Sequence, residues 1–364
     1  MLPDPRPLVQ ELADVAHGAL DFAELERLGL EPGAILDFSV NNNPYGPSST
    51  VKHAMTQVRF DRYPDRESLD LRRLLADHLH LVPECILVGN GSMELVWLVA
   101  MAFLRPGDPV MLFQPTFGEY HRAAHLMGAQ VRTYTCRPDQ AFQIDADAVR
   151  RALQQQSPRL VFVCNPNNPT GTYLPIDSIV AWADAVPQTL FIVDEAYLAF
   201  APDTTSILTA RRDNILVLRS MTKDYALAGI RLGYAVGHAD ILRALCSVRP
   251  PWSVNALAQA AGIAAIKDAA YLDYTLLKVA HAARGLVQGL QDIGFDPRPS
   301  TTHFFLIPVG GATQCRQMLL QQHGLLVRDC TSFGLPDYIR VATRRPAEND
   351  RLIEVLAQWH QCQG

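Results

Sequence analysis

One segment, RSMTKDYALAGIRLGY over residues 219–234, carries a lysine among side chains that suit a phosphate group. Ser220, Thr222 and Arg231 can each bind an anion, and Lys223 lies between them. Burial and neighbouring cations lower the pKa of a lysine, and that makes its amine a better nucleophile. A single lysine in a loop is more often a solvated surface charge, but Lys223 falls between two apolar stretches. We therefore predict that Lys223 is a buried, reactive amine beside an anion site.

Three further polar segments each follow a short apolar run. Gly91, Ser92 and Met93 follow ILVGN and open a predicted helix, whose free N–H groups suit a phosphate, although such turns also occur without a ligand. Asn168 lies in CNPNNPTG, where asparagines also serve as ordinary turn residues, and its amide could donate to a phenolate-like oxygen. Asp194 ends the apolar run TLFIVD, where a carboxylate needs a partner such as a cationic ring nitrogen or a helix N-terminus.

These segments lie at the ends of predicted strands. Between residues 86 and 236, short apolar runs rich in β-branched residues alternate with helical stretches. Unbroken apolar runs are typical of parallel strands covered on both faces, and alternation of strand and helix predicts a mostly parallel α/β sheet. Ligands bind at the carboxyl ends of such strands, so we expect Lys223, Asn168 and Asp194 to meet at one edge of the sheet.

The pattern changes near residues 245–255, where long helical stretches begin to precede a few short strands. A chain of 364 residues is long enough for more than one core. We predict a large α/β domain over residues 46–250 and a smaller α+β domain over residues 251–364. Residues 1–45 form an N-terminal arm that we expect to pack with the small domain, and residues 6–30 of this arm resemble a helix.

Composition excludes several classes of protein. The net charge of −5 shows no basic excess, so no nucleic-acid partner is expected. The longest apolar run, Leu95 to Leu104, is too short to cross a membrane, and the start of the chain does not resemble a signal peptide. The seven cysteines are scattered without a C-x-x-C pair, which predicts no metal site, no disulfide framework and a cytoplasmic location.

Five motifs occur in the order GNGSME, QPTFGEY, CNPNNPTG, VDEAY and RSMTKDYALAGIRLGY. Over nearly the whole chain they resemble the fold-type-I pyridoxal-phosphate (PLP) enzymes of the class I/II aminotransferase family. The resemblance implies a large domain with a mostly parallel sheet, a smaller α+β domain, and PLP held by Lys223 as a Schiff base. Tyr63, in RYPD, resembles a tyrosine that reaches the cofactor phosphate of a neighbouring subunit, which implies a homodimer with shared active sites.

The resemblance also implies a role for each matching residue. Lys223 would bind PLP and move the substrate proton, and Asp194 would pair with the pyridinium nitrogen. Asn168 and Tyr197 would hydrogen-bond the ring oxygen, and Phe117 would stack on the ring, although ordinary core packing also accounts for a phenylalanine there. The cofactor phosphate would be held by the residues that match the family's phosphate site, which are Gly91, Ser92, Met93, Ser220, Thr222 and Arg231.

Two branches of this family match further segments. NNNPYGPS, RYPD and LAGIRLGY resemble histidinol-phosphate aminotransferase. The His-Gly pair near the start, ILDFSVN, PPWSVNALA and RVATRRPAEND resemble threonine-phosphate decarboxylase of cobalamin synthesis. In that branch the phosphorylated amino acid is held by residues matching His17, Gly18, Asn41, Arg328 and Arg340. Arg340 also matches the arginine with which the wider family holds the substrate α-carboxylate.

The chain departs from both branches in places. The decarboxylase pattern HGG is here His17-Gly18-Ala19, and His303 stands where both branches usually have asparagine. Our prediction is a PLP-dependent aminotransferase that acts on a small, phosphorylated or anionic amino acid, like histidinol-phosphate aminotransferase. The alternatives are threonine-phosphate decarboxylase and, from another class, a non-catalytic protein that binds PLP or a phosphorylated ligand.

Overall fold

The computed structural model describes residues 3–12 and 15–363. Within those residues the α-helices are α1 (Pro7–Gln10), α2 (Phe22–Leu28), α3 (Ser49–Thr56), α4 (Leu69–Leu79), α5 (Gly91–Phe103), α6 (Gly118–Leu126), α7 (Ala146–Gln156), α8 (Ile176–Ala185), α9 (Ala239–Val248), α10 (Ala256–Lys267), α11 (Ala269–Asp292), α12 (Ala312–His323) and α13 (Pro346–Gln363). The β-strands are β1 (Leu36–Asp37), β2 (Ile86–Gly89), β3 (Pro109–Gln114), β4 (Gln130–Thr135), β5 (Leu160–Cys164), β6 (Leu190–Asp194), β7 (Ile215–Ser220), β8 (Gly233–Val236), β9 (Phe304–Pro308), β10 (Leu325–Leu326), β11 (Arg328–Asp329) and β12 (Tyr338–Ala342).

The largest sheet has seven strands in the order β2-β8-β7-β6-β5-β3-β4. Strands β7, β6, β5, β3 and β4 are parallel to their neighbours in this run, whereas β8 is antiparallel to both β2 and β7. The predicted mostly parallel α/β sheet is therefore confirmed. Among the described helices, none is long and apolar enough to cross a membrane.

Strand β6 shows why the apolar runs predicted strands covered on both faces. Phe191 and Val193 belong to one hydrophobic core, and Leu190 and Ile192 belong to another. Side chains of a strand point alternately to opposite faces, so the two cores lie on opposite sides of the sheet. Only an unbroken apolar sequence can satisfy both cores, and this makes the strand ends the natural place for polar residues.

A second sheet is antiparallel, with strand order β11-β12-β9, and has its own hydrophobic core against α11, α12 and α13. The start of the chain joins this region, because β1 pairs in parallel with β10. Helix α2 packs there as well, through Leu25 against Leu320 and Leu326. An ion pair between Glu24 and Arg316, at 2.5 Å, lies beside this contact.

The expectation of one helix over residues 6–30 is wrong, because the described part of the arm holds two short helices, α1 and α2, instead. Asp21 starts α2 afresh, since its side chain accepts from the N–H groups of Ala23 and Glu24. Gly18 lies against the backbone of Ser39, where an added Cβ would come within 2.4 Å of the carbonyl oxygen. The arm therefore has no helix at His17-Gly18-Ala19, where the chain bends against Ser39.

Candidate active site

Two adjoining cavities open at the carboxyl ends of the parallel strands. The first, which we call the aspartate cavity, has a volume of about 560 Å³ and is lined by Asp194 and Ser220, the last residues of β6 and β7. The second, the arginine cavity, has a volume of about 610 Å³ and is lined by Arg328 and Arg340. Lys223 lines both cavities, as the strand-end argument from the sequence predicts.

The aspartate cavity brings together nearly all the residues predicted to hold PLP. Those that line it are Ser92, Met93, Phe117, Asn168, Asp194, Tyr197, Ser220, Thr222, Lys223 and Arg231. Gly91 lies beside them at the start of α5, with a φ of +79°. A Cβ on Gly91 would lie 2.8 Å from the Arg231 guanidinium, so glycine lets this cation approach the helix N-terminus.

The end of the aspartate cavity near α5 has the chemistry of a phosphate site. The hydroxyls of Ser220 and Thr222 lie 2.7 Å apart, and Arg231 donates from Nη1 to the Ala228 carbonyl oxygen at 3.0 Å. The first N–H groups of α5 add donors and the positive end of a helix dipole. Hydroxyls, a guanidinium and helix N–H groups together fit the three oxygens of a phosphate monoester.

Asp194 is buried and accepts two hydrogen bonds, from the Tyr120 hydroxyl at 2.7 Å and from the Ala196 N–H at 3.0 Å. Burial raises the pKa of its carboxyl, and these two hydrogen bonds oppose that shift. A cationic ring nitrogen would stabilise the ionised form further, so the site fits a protonated pyridine. Tyr120 was not predicted, although its place in QPTFGEY, three residues after Phe117, puts it on the same helix end.

Lys223 has a lowered pKa of about 8, mainly because it is buried, with the charges of Arg340 and Arg231 adding to the effect. Its Nζ donates to Oδ1 of Asn42 at 3.3 Å. Asn41, its neighbour, was predicted from the sequence, whereas Asn42 was not. Only the folded chain shows the contact, since the two residues are 181 positions apart.

The arginine cavity collects the residues predicted to hold substrate. Five of its lining residues were predicted for that role, namely His17, Gly18, Asn41, Arg328 and Arg340. The amide atoms of Asn41 are buried and have no hydrogen-bond partner among the described residues. They are therefore free to bind a polar ligand that enters the cavity.

Arg340 and Arg328 are both buried, at 4% and 6% exposure, and their hydrogen bonds to other described residues all go to neutral oxygens. Arg340 donates to the side chain of Asn168 and to the Ser39 carbonyl. Arg328 donates to the carbonyls of Asp329 and Ala16 and to the Ser332 hydroxyl, at 2.6, 2.8 and 2.6 Å. Burial lowers the pKa of both guanidiniums. Two buried cations that pair with no carboxylate among the described residues form a site that favours an anionic ligand.

His17 lies at the mouth of the cavity, where its Nε2 is 3.1 Å from Oε1 of Glu119. Glu119 is buried and also lies 3.6 Å from Arg122. Glu119 was not predicted from the sequence, although it belongs to the motif QPTFGEY. The pair orients His17 toward the cavity that it shares with Arg328.

His303 is 2% exposed and packs its ring on Phe200, with ring centroids 3.8 Å apart. Neither ring nitrogen has a hydrogen-bond partner among the described residues. Burial, together with the charges of Lys223 and Arg340, lowers the pKa of His303 to about 3. The imidazole is therefore neutral at physiological pH and adds no third cation to the site.

Tyr63 lies apart from both cavities. Its side chain is 79% exposed and stacks on Trp252, with ring centroids 4.6 Å apart. The fold therefore does not bring Tyr63 to the phosphate site of its own chain. A role for it requires a second subunit.

The sequence of this chain matches a known family and its curated members. The sequence model of the family described as aminotransferase class I and II matches residues 34–356. The histidinol-phosphate aminotransferase of Symbiobacterium thermophilum is 37% identical to this chain over 330 residues, which cover 88% of this chain and 90% of that protein.

Two solved structures share the fold. The structure of histidinol-phosphate aminotransferase from Sinorhizobium meliloti, in complex with pyridoxal-5'-phosphate, has a TM-score of 0.89 and 27% identity and covers 100% of this chain and 99% of that one. The structure of L-threonine-O-3-phosphate decarboxylase from Porphyromonas gingivalis has a TM-score of 0.79 and 27% identity and covers 89% of this chain and 99% of that one. Both branches that the motifs resemble are thus similar to this chain.

Proposed function

The chain belongs to the class I and II aminotransferase family, and we propose that it transfers the amino group of histidinol phosphate to a dicarboxylic 2-oxo acid such as 2-oxoglutarate. The observation that carries this proposal is the arginine cavity, where buried Arg328 and Arg340 with neutral partners open onto Lys223. The family match predicted from the five motifs is confirmed, and with it a PLP-dependent transaminase.

The aspartate cavity fits PLP. Ser220, Thr222 and Arg231 with the N-terminus of α5 would hold the phosphate, and Asp194 would hold the ring nitrogen. Asn168 and Tyr197 line the cavity at the side of Lys223 and would bind the ring oxygen. When bound there, PLP supplies an electron sink for negative charge that develops at the substrate Cα.

The residues of the chain supply the rest of the chemistry. Lys223 would hold PLP covalently and, when free, carry the proton between the substrate Cα and the cofactor. Its lowered pKa leaves part of the amine unprotonated near pH 8, as a base requires. Asp194, hydrogen-bonded by Tyr120, would keep the ring nitrogen protonated. Arg340 and Arg328 would orient the anionic groups of the substrate.

The two arginines suit both substrates of such a reaction. Histidinol phosphate brings one phosphate dianion, and a dicarboxylic acid brings two carboxylates at separate positions. Arg328 with Ser332 and His17 lies toward the mouth, and Arg340 lies beside Asn168, so each anion has a guanidinium to bind. The Asn41 amide, which has no partner among the described residues, offers a further donor and acceptor in the same cavity.

Threonine-phosphate decarboxylation is the second candidate. His17 and Gly18 line the cavity with Arg328, and these residues match the decarboxylase branch. In that reaction the arginines would hold the carboxylate so that its bond to Cα, rather than the Cα–H bond, breaks. Small differences in orientation decide between the two outcomes.

One experiment separates the candidates. The holoenzyme is incubated with histidinol phosphate and 2-oxoglutarate, and separately with L-threonine phosphate. Glutamate formation in the first supports the proposal, and carbon dioxide release in the second contradicts it in favour of the decarboxylase. Activity in neither would mean that another anionic amino acid is the substrate.

The third alternative, non-catalytic ligand binding, is tested through Lys223. Borohydride treatment of the holoenzyme, followed by peptide mass spectrometry, should attach the cofactor to the peptide that contains Lys223. Lys223→Ala should be colourless and inactive. A Lys223→Ala protein that keeps its visible absorbance and ligand affinity would favour the non-covalent alternative.

We also propose that the protein works as a two-fold homodimer in the cytoplasm. The exposed pair of Tyr63 and Trp252, with Phe60 at 77% exposure nearby in sequence, is an apolar surface that a second subunit would cover. The six cysteines whose side chains the structure describes are unpaired, which agrees with a reducing compartment. The division into residues 1–45, 46–250 and 251–364 stays our proposal, supported by the separate core of the second sheet.

A further inference from the structure

Residues 37–43, which we call the strap, touch the reactive lysine directly. The side chain of Asn42 accepts the hydrogen bond of Lys223 Nζ at 3.3 Å. The next residue holds the backbone of the same loop: the N–H of Asn43 donates to the Lys223 carbonyl at 2.9 Å, and its Nδ2 donates to the Asp224 carbonyl at 3.0 Å. The strap is thus fastened both to the side chain of Lys223 and to the loop that bears it.

The other half of the strap holds the strand that carries the substrate arginine. The Ser39 carbonyl accepts from Nη2 of Arg340. One residue earlier, the Phe38 carbonyl accepts from the N–H of Ala342, at 2.9 Å, at the end of β12. A single run of seven residues therefore contacts both Lys223, in the loop that follows β7 of the large sheet, and Arg340, on β12 of the second sheet.

The position of Asn42 is fixed by its buried neighbour. Asn43 is 4% exposed, and its Nδ2 also donates to the Thr275 hydroxyl of α11 at 2.8 Å. Its Oδ1 accepts from the N–H of Tyr45 at 3.1 Å, which closes a turn. With the backbone held on both sides, Asn42 presents its amide oxygen from a rigid support.

An amide is suited to this position because it is a neutral acceptor. A lysine side chain has four rotatable bonds and loses about 2 kcal/mol of rotamer entropy when it is fixed. A partner that holds Nζ in its reactive orientation before the reaction therefore favours the reaction. A carboxylate at the same place would hold the amine but would favour its charged form, which is unreactive. Asparagine orients the amine and leaves it free to lose its proton.

We propose that Asn42 is a positioning residue for Lys223, and that the strap keeps the reactive amine in a fixed relation to Arg340. The inference rests on the proposed function for its catalytic consequence, but the contact itself does not. Two measurements therefore follow, one on the amine alone and one on turnover.

The first measurement uses the scarcity of lysine in this chain. The full-length protein, freed of cofactor, has four lysines that can react with acetic anhydride, Lys52, Lys223, Lys267 and Lys278, besides the N-terminal amine. Mass spectrometry of the labelled peptides at a series of pH values gives a midpoint for each amine. Lys52 and Lys267 are exposed and serve as internal references.

Asn42→Asp should raise the labelling midpoint of Lys223 by about one pH unit or more, because a carboxylate then faces the ammonium. Asn42→Ala should lower the midpoint, since the charged form loses an acceptor. The midpoints of Lys52 and Lys267 should stay constant. An unchanged Lys223 midpoint in both variants would overturn the proposal, and if Asn42→Asp fails to fold, Asn42→Ala decides alone.

The second measurement is steady-state turnover of the holoenzyme. Asn42→Ala should lower kcat roughly tenfold, equivalent to about 1.4 kcal/mol, with KM for the amino donor nearly unchanged, because Asn42 holds the base and not the substrate. Asn42→Asp should shift the pH profile of kcat to higher pH. A rise in KM with constant kcat would show that Asn42 serves substrate binding instead and would overturn the positioning role.

A matched control is Asn214→Ala. The Asn214 side chain donates to the carbonyls of Ala183 and Thr189, at 3.0 and 3.1 Å, away from both cavities. This variant should lose thermal stability but keep kcat and the Lys223 midpoint. If no variant, wild type included, transaminates histidinol phosphate, the proposed function fails while the labelling result still tests Asn42.

Discussion

Ala19 adopts a φ of 102°, in the region that favours glycine. The strain arises where the arm docks, since the N–H of Ala19 donates to the Ser39 hydroxyl at 2.8 Å. The related decarboxylase pattern has glycine at this position, and the alanine here is the departure. We predict that Ala19→Gly raises the free energy of unfolding by about 1 kcal/mol, because relief of strain outweighs the added freedom of the unfolded chain.

Denaturant unfolding of wild type and variant checks this prediction. The same exchange at Ala244, inside α9, should lower stability by about 1 kcal/mol, because glycine disfavours an ordinary helix. Equal losses at both positions would contradict the strain at Ala19.

His303 makes stability depend on pH. Its pKa is about 3 in the folded protein, against about 6.5 in an unfolded chain, so the unfolded state takes up the proton first as the pH falls. The contribution of His303 is therefore complete above pH 6.5 and is lost as the pH falls toward 3. Between pH 7 and pH 5 this loss amounts to about 2 kcal/mol. We predict that His303→Asn removes that part of the pH dependence.

The measurement is the free energy of unfolding at pH 7 and at pH 5 in both proteins. His78→Asn, at an exposed position on α4, is the control and should leave the slope as in wild type. Parallel slopes for wild type and His303→Asn would show that the buried ring does not resist protonation.

Residue types predicted the members of the site better than their contacts. Lys223 and Asp194 stood out because a charged group beside apolar runs needs a partner, and Arg340 because it matches the carboxylate-binding arginine of the family. Tyr120 and Asn42 did not stand out, since a tyrosine on a helix and an asparagine in a turn are ordinary locally. Their contacts with Asp194 and Lys223 depend on how distant segments meet, which one sequence does not reveal.

At the scale of elements, the close approach of Arg231 to the N-terminus of α5 depends on one glycine, Gly91. We predict that Gly91→Ala weakens PLP binding, because the new Cβ at positive φ would displace the Arg231 guanidinium. Loss of one charge-assisted contact costs about 1.5–3 kcal/mol, which corresponds to roughly a 10- to 150-fold weaker affinity. Equilibrium dialysis of the cofactor measures the effect.

Gly33→Ala is the control for that prediction. An added Cβ at Gly33 meets nothing within 4 Å, so PLP affinity should not change. Unaltered affinity in Gly91→Ala would mean that Arg231 does not need its close approach to α5.

The strands were predictable from sequence and the arm was not. Strands such as β6 are apolar on both faces, and that pattern has few structural alternatives. Residues 6–30 have a helical composition, but His17 and Gly18 line the arginine cavity, and Gly18 packs against the backbone of Ser39. Tertiary contact overrides local propensity at that point, and a cap at Asp21 starts a new helix.

At the scale of the whole molecule, the proposed dimer predicts complementation. If Tyr63 serves the partner's site, a hybrid of Lys223→Ala and Tyr63→Ala subunits has one site with both lesions and one intact site. Mixing the two weak variants under conditions of subunit exchange should therefore restore activity, toward half of wild type per hybrid dimer.

The alternative gives a different result in the same assay. If Tyr63 acts within its own subunit, or not at all, no hybrid has a site better than those of the parent variants. Double variants carrying both substitutions in one chain, mixed with themselves, provide the baseline. Size-exclusion measurements on the mixtures establish that exchange has occurred.

The pairing of β1 with β10 constrains the order in which the parts of the protein can fold during synthesis. Strand β1 precedes the seven-stranded sheet in the chain, whereas its partner Leu325–Leu326 follows the whole of that sheet and leaves the ribosome only after it. A nascent chain can thus assemble the seven-stranded sheet before the partner of β1 has been synthesised. Arg340 on β12 is synthesised later still, so the arginine cavity can form only after the large sheet is complete.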